Sequence, residues 1–367
     1  MTPSRLIALA GAIVATSCGL APVASAGATT QFSLSGLIAT PGVYTRTTLN
    51  ALPGTTKTAT YRAASGPVTD TYTGPTLWTL LSAAGGVITD PAIKNDALRD
   101  YVIVKGSDGY SAAVSLGEID PKFGNQTDLI ADADTAGQLG TNGDDGFARL
   151  VVPGDAAGGR YVSNIASIQV QSAPTIPVSG AGGVSSSLTV TGAIRTPAAF
   201  SLANLQAMAA TTETATYLAG KTPVTDTYTG VSLWTLINGL GLVTQSTPKN
   251  DILNDIVVAT GSDGYAAVFS MGEIDPAFGN QPDLVAYADT AGQLGSGGAD
   301  GFARLVVPGD AAGGRYVSNL VNLDVIDTST LATNVPEPAS LILLLGPVLG
   351  LAVIRRVRPP LFRAICD

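Results

Sequence analysis

The residues best able to do chemistry in this chain come in duplicate. Arg160 and Arg315 each follow a Gly-Gly pair inside one segment, GFARLVVPGDAAGGRYVSN, which occupies 146–164 and again 301–319. A close backbone approach at Gly-Gly beside a guanidinium can hold an anion. The same arginines stand five residues after Asp155 and Asp310, a spacing that equally predicts a structural ion pair. Asp108, Asp263, Glu118 and Glu273 could form an acid–base set, although turn formation and helix capping account for the same residues. The loop 132–146 is rich in oxygen ligands of the kind calcium uses. The second copy, however, puts Tyr287, Gly297 and Ala299 in place of Asp132, Asn142 and Asp144, so no shared metal site is expected. The chain has no histidine, and its two cysteines, Cys18 and Cys366, lie outside the duplicated region. Histidine-based triads, thiolate nucleophiles and most zinc sites are thereby excluded from the repeats.

These residues need a scaffold, and the sequence describes it twice. Alternating apolar and small residues at 32–38 and 187–194 predict opening strands. The threonine- and tyrosine-rich stretches 57–64 and 213–220 read as strands too. After Gly74 and Gly230 the leucine spacing at Leu77, Leu80 and Leu81, repeated at Leu233, Leu236 and Ile237, predicts a short helix stopped by glycine. Trp78 and Trp234 ride on it as packing residues. Asp108-Gly109 and Asp263-Gly264 predict β-hairpin turns, and GEID at 117–120 and 272–275 a helical turn. The DLIA and FARLVV segments read as strands, with Arg149 and Arg304 on an exposed strand face. The period is far too long for a solenoid. Two tandem domains are therefore expected, at 28–171 and 187–327, joined by a Pro/Gly/Ser linker at 172–186. Identity between the copies is uneven: it is high from 106 to 164 and much lower before that. Recent duplication or gene conversion would account for such a pattern; free drift would spread differences evenly, so the later part is otherwise expected to be held by folding or by a surface.

Composition narrows the class. Of 367 residues, 45% are hydrophobic and 13% charged, enough apolar content to fill a core. Forty-three glycines and 22 prolines predict many tight turns and a β-rich chain. A formal charge of −9 disfavours binding to a phosphate backbone, so no nucleic-acid partner is expected.

The two ends read as addresses. Arg5, the apolar stretch 6–20 and the Ala24-Ser25-Ala26 site predict a signal peptide at 1–26, cleaved after Ala26. After a stalk at 328–334, Val335-Pro336-Glu337-Pro338 precedes an apolar run at 339–354 and then Arg355, Arg356 and Arg358. Such a run can span a membrane, with the arginines kept on the cytoplasmic side. This three-part tail, 335–363, resembles the PEP-CTERM sorting signal. The resemblance implies export, an anchor in the bacterial inner membrane before processing, an exosortase-type processing enzyme as partner, and a cell-envelope or extracellular address. It further implies exopolysaccharide as a possible partner.

The order of motifs within each repeat resembles the molybdopterin-binding domain of the sulfite oxidase family. The matching pieces are the glycine turn with its L-x-x-L helix, the S-D-G-Y hairpin, the D-L-I/V-A strand and the LVVPG…GGRYV ending. The resemblance implies an α+β fold: two tandem β-rich, mixed-sheet domains of that type, followed by a C-terminal transmembrane helix. It also implies where a cofactor would sit. Arg160 and Arg315 match an arginine that faces the pterin phosphate, and these two are the candidate cofactor-binding residues. Ser163 and Ser318 stand where the family has a lysine, and no thiol stands near 62–65 or 218–221, where its molybdenum-binding cysteine falls. A soft metal would thus lack its sulfur ligand. No catalytic residue and no bound cofactor are expected. The expected role is binding or surface structure through two non-catalytic domains, with a molybdopterin-dependent oxidoreductase lacking a cysteine ligand as the alternative. A polysaccharide-binding role would need exposed aromatic platforms, for which Tyr110, Tyr161, Tyr265 and Tyr316 are the candidates.

Overall fold

A computed structural model describes residues 28–141, 146–178, 182–295 and 300–331. The expected signal peptide with Ala24 and Ala26, and the expected sorting signal with its apolar run, lie outside these residues.

Each repeat opens and closes in one five-stranded sheet. In the first repeat the order across it is Gly42–Thr45, Gln31–Gly36, Ile165–Ser172, Asp100–Gly106 and Ser111–Ser115. The first and last long strands of the repeat lie side by side and parallel, Leu34 opposite Ile168, while the other pairs are antiparallel. The second repeat matches it, with Val190 opposite Leu323. Phe32, Leu34, Ile168 and Val170 are buried, which is what alternation with a single core-facing side requires.

A long hairpin leads into the second sheet of each repeat. Thr55–Ala63 pairs with Gly66–Gly74, and Thr211–Ala219 with Thr222–Ser232. One face of the first hairpin is a column of threonine pairs, Thr56–Thr73, Thr58–Thr71 and Thr60–Thr69, with hydroxyls 2.9 Å apart in each. The other face turns Ala59, Tyr61 and Tyr72 into the core. The helix that follows, Leu77–Ala83, is capped by Thr76 and buries Leu77, Leu80 and Leu81. Gly85 and Gly86, both in the left-handed region at φ +86° and +85°, end it after two turns. Leu233–Gly239 repeats the arrangement, and Trp78 and Trp234 pack half-buried against the two cores.

The expected α+β class is corrected by these elements. The described chain is mostly β, with twenty-one strands against six α-helices, none longer than seven residues. Two-turn helices cannot form a layer of their own; each adds its buried leucines to the core that the sheets of its repeat build. Among the described residues no helix is long and apolar enough to cross a membrane. The stretch 339–354 lies outside them.

Each repeat has its own apolar core. Leu253 and Phe278 of the second repeat nonetheless belong to the core of the first. A further cluster, with Tyr101, Ala113, Ile256, Val258 and Val268, sits between the two five-stranded sheets. The repeats are thus packed together by their strands Ser111–Ser115 and Ala266–Ser270 and by the short helices that follow.

Candidate functional site

The duplicated charged residues converge on the junction between the repeats. Arg160 lies on the single 3-10 turn Gly158–Arg160, just after the Pro153-Gly154-Asp155 turn. Its guanidinium is 2% exposed. Nε and Nη2 donate to the two oxygens of Asp155 at 2.9 and 2.6 Å, and Nη1 donates to Glu118 Oε1 at 2.6 Å. Arg315 reproduces the set with Asp310 at 2.9 and 2.5 Å and with Glu273. The bidentate fork is the geometry in which arginine binds carboxylate most strongly. Both residues proposed to face a cofactor phosphate therefore have three guanidinium nitrogens committed to carboxylates of their own repeat.

Glu118 is placed by a capped helical turn. Ser115 closes the N-terminus of Leu116–Ile119 by accepting the Glu118 amide at 3.1 Å. The same hydroxyl donates across the junction to Glu273 Oε2 at 3.0 Å. Ser270 does the reverse, accepting the Glu273 amide and reaching Glu118 Oε2 at 3.3 Å. Glycine permits this approach. A Cβ on Gly272 would lie 2.4 Å from Arg160 Cδ, and one on Gly117 2.3 Å from Arg315 Cδ.

Six buried carboxyls, those of Glu118, Asp128, Asp155, Glu273, Asp283 and Asp310, surround two guanidiniums. Neither oxygen of Asp128 or of Asp283 has a hydrogen-bond partner among the described residues. Burial pushes the Asp128 carboxyl up to about 7 against the pull of Arg160. Burial likewise raises Asp283 well above the carboxylate range, with Glu273 adding repulsion. An unpaired charge held this far from water would be costly, so Asp128 and Asp283 hold a proton more readily than a free carboxyl does.

The remaining candidates take structural posts. Asp108 and Asp263 accept the amides of Tyr110 and Tyr265 at 3.0 Å, closing their hairpin turns. Tyr161 and Tyr316 are buried. Tyr110 and Tyr265 are half-buried, and their hydroxyls donate to the carbonyls of Gly159 and Gly314 while accepting from Asn250 and Asn95 of the opposite repeat. None of the four offers an open platform. Arg149 and Arg304, expected on an exposed face, lie half-buried over tyrosines instead. Arg304 is 5.5 Å from the centre of the Tyr316 ring and 6.0 Å from that of Tyr217, and Arg149 is 5.5 Å from that of Tyr161. Cation–π attraction and an apolar stem favour that position over an open face. No group of acidic, histidine or cysteine residues able to hold a metal occurs among the described residues, and 142–145 of the aspartate-rich loop lie outside them.

Beside this centre runs a groove of about 720 Å³. It is lined by Lys94 and Lys122 of the first repeat and by Tyr217, Arg304 and the edge of the buried Tyr316 of the second. Leu218, Ala219 and Gly220 also line it, within the stretch where the sulfite oxidase resemblance puts the metal-binding cysteine. Ser318 lines it as well and donates to Asp300 at 2.6 Å. The groove takes cations from both repeats, and neither of its lysines was singled out from the sequence, where nothing ties Lys94 or Lys122 to a segment more than ninety residues away.

No protein-family model matches the chain, and no curated protein does. Among solved structures it is similar to the sulfane dehydrogenase SoxCD from Paracoccus pantotrophus, at a TM-score of 0.32 and 15% identity, over 65% of this chain and 58% of that one. The chain thus spans less than two thirds of that structure's length. At that score and identity the likeness carries no argument about chemistry.

Proposed function

We propose that this is an exported cell-envelope protein whose two repeats act as one non-catalytic unit in binding or surface structure. The carrying observation is the commitment of Arg160 and Arg315 to buried carboxylates. A guanidinium so paired is poorly placed to grip a cofactor phosphate as well, because freeing it would strand two buried charges. The address is read from the sequence: a signal peptide with Ala24 and Ala26 at its cleavage site, and a PEP-CTERM-like tail. In that tail Val335, Pro336, Glu337 and Pro338 are the recognition motif and Arg355, Arg356 and Arg358 the cytoplasmic stop. Its partners would be an exosortase-type processing enzyme, the membrane before processing, and exopolysaccharide afterwards. With none of the four tyrosines open as a platform, a neutral polysaccharide loses its support; Lys94 and Lys122, lining the groove in a chain of charge −9, support a polyanionic one held by charge.

The test is metal and pterin analysis of the protein purified from its native host. Neither molybdenum nor pterin should be found at one per repeat. Stoichiometric pterin would replace this reading with the oxidoreductase alternative.

A further inference from the structure

The junction between the repeats is built from reciprocal contacts. Ser115 reaches Glu273 as Ser270 reaches Glu118. The Ala156 amide donates to the Phe278 carbonyl at 2.9 Å, and the Ala311 amide to the Phe123 carbonyl at 3.0 Å. Asn250 donates to Tyr110 at 3.1 Å, and Asn95 to Tyr265 at 2.9 Å. A Cβ on Gly159 would meet the Phe278 ring at 2.2 Å, and one on Gly314 would meet the Phe123 ring at 2.2 Å. At each position the two repeats carry the same residue type. Residue i of one touches residue j of the other, and j touches i, which is the defining property of a two-fold, self-complementary interface. Most of these residues fall in 106–164 and its copy, the part of the repeats whose identity is high.

We propose that the surface each repeat turns to this junction is an isologous pairing surface, whose fitting partner is the same surface on a second copy of this chain. In the closed molecule the two surfaces saturate each other. When one is blocked, the other is left open and pairs with its counterpart on another chain. The preference is set where the two surfaces differ: in the apolar cluster between the sheets, and at Ser111, which donates to Asn254 at 2.6 Å where the reciprocal positions hold Ala266 and Arg99. Tyr101 and Ala113 of the first repeat correspond to Ile256 and Val268 of the second. A large residue beside a small one is thereby matched to two of middle size. The mixed pair is the best packed, so a chain with both surfaces intact closes on itself, helped by its covalent linker.

The test uses the whole mature chain and light scattering after size exclusion. Gly272→Val blocks the second surface with a side chain driven into Arg160, and Gly117→Val blocks the first. Each single variant should elute at twice the mass of the parent chain, and the double variant at the parent mass. Mixing the two differently tagged single variants should give mostly heterodimers, one from each. Gly314→Val and Gly159→Val block the same two surfaces through Phe123 and Phe278, so the prediction is read from them if a Gly117 or Gly272 variant shows no cooperative melt. Single variants that fold and stay at the parent mass overturn the proposal. So does a double variant that dimerises as well, since association would then not depend on either surface.

Discussion

Arg160 shows how the same residue can be read as a ligand-holder or as a strut until its surroundings are known. Asp155 is near it in sequence, and the ion pair between them was legible from the five-residue spacing across a Pro-Gly turn. Glu118 was not, because it lies 42 residues away and only the fold brings it within 2.6 Å. The energetic weight of the group follows from what its removal leaves behind. Arg160→Ala strands Asp155 and Glu118 without a counter-charge, and breaking a buried pair in this way costs about 3–5 kcal/mol. Urea unfolding should show a loss of that size for Arg160→Ala and the same for Arg315→Ala. A residue whose main business was to hold an exogenous anion would cost the empty protein far less.

At the scale of elements, the short-range signals were the reliable ones. The hairpin turn at Asp108-Gly109 and the glycine-stopped helix after Gly74 follow from turn chemistry and stand where the sequence puts them, and the opening strand expected from alternation at 32–38 runs from Gln31 to Gly36. The fold class was not legible in this way. It was carried by resemblance, and the resemblance gave the helices more weight than seven residues can bear. Pairing partners were also beyond the sequence: nothing in the residues at 31–36 announces that they lie parallel to 165–172. The hairpin Thr55–Ala63/Gly66–Gly74 allows the two faces of one element to be weighed. Thr58→Ala removes one exposed rung of the threonine column and should cost about 0.2–1 kcal/mol. Tyr72→Ala, on the buried face, opens a cavity beside Tyr161 and should cost about 3–5 kcal/mol. Denaturation curves of the two variants measure the contrast directly.

The whole molecule responds to pH in a direction fixed by its buried carboxyls. Asp128 is raised to about 7 by burial, as is Asp100, and Asp255 is raised to about 8 by burial and by its neighbours Asp327 and Asp251. Asp283 is raised as well, chiefly by burial. A carboxyl whose folded value lies above its ordinary one holds its proton better when folded. Its contribution is complete below the ordinary carboxylate range and is lost as pH climbs through the folded value. Stability should therefore fall between about pH 4 and pH 8, and differential scanning calorimetry should find a higher Tm at pH 5 than at pH 8.5. Asp128→Asn together with Asp283→Asn should flatten that slope by removing two of the protons concerned. The duplication itself was plain in the sequence, and so was its uneven divergence. What the sequence could not supply was the reason, because complementarity between two copies is a property of their packing and of neither copy alone.

The pairing of Tyr101 and Ala113 with Ile256 and Val268 has a consequence for heredity. A gene for a two-fold dimer writes every change into both partners at once, so a bulky residue on one side arrives with its double on the other. A gene that spells both partners in series is free of that constraint. Here one side is the larger at one position and the smaller at the other, an asymmetry open only to a chain that carries both halves of its own contact.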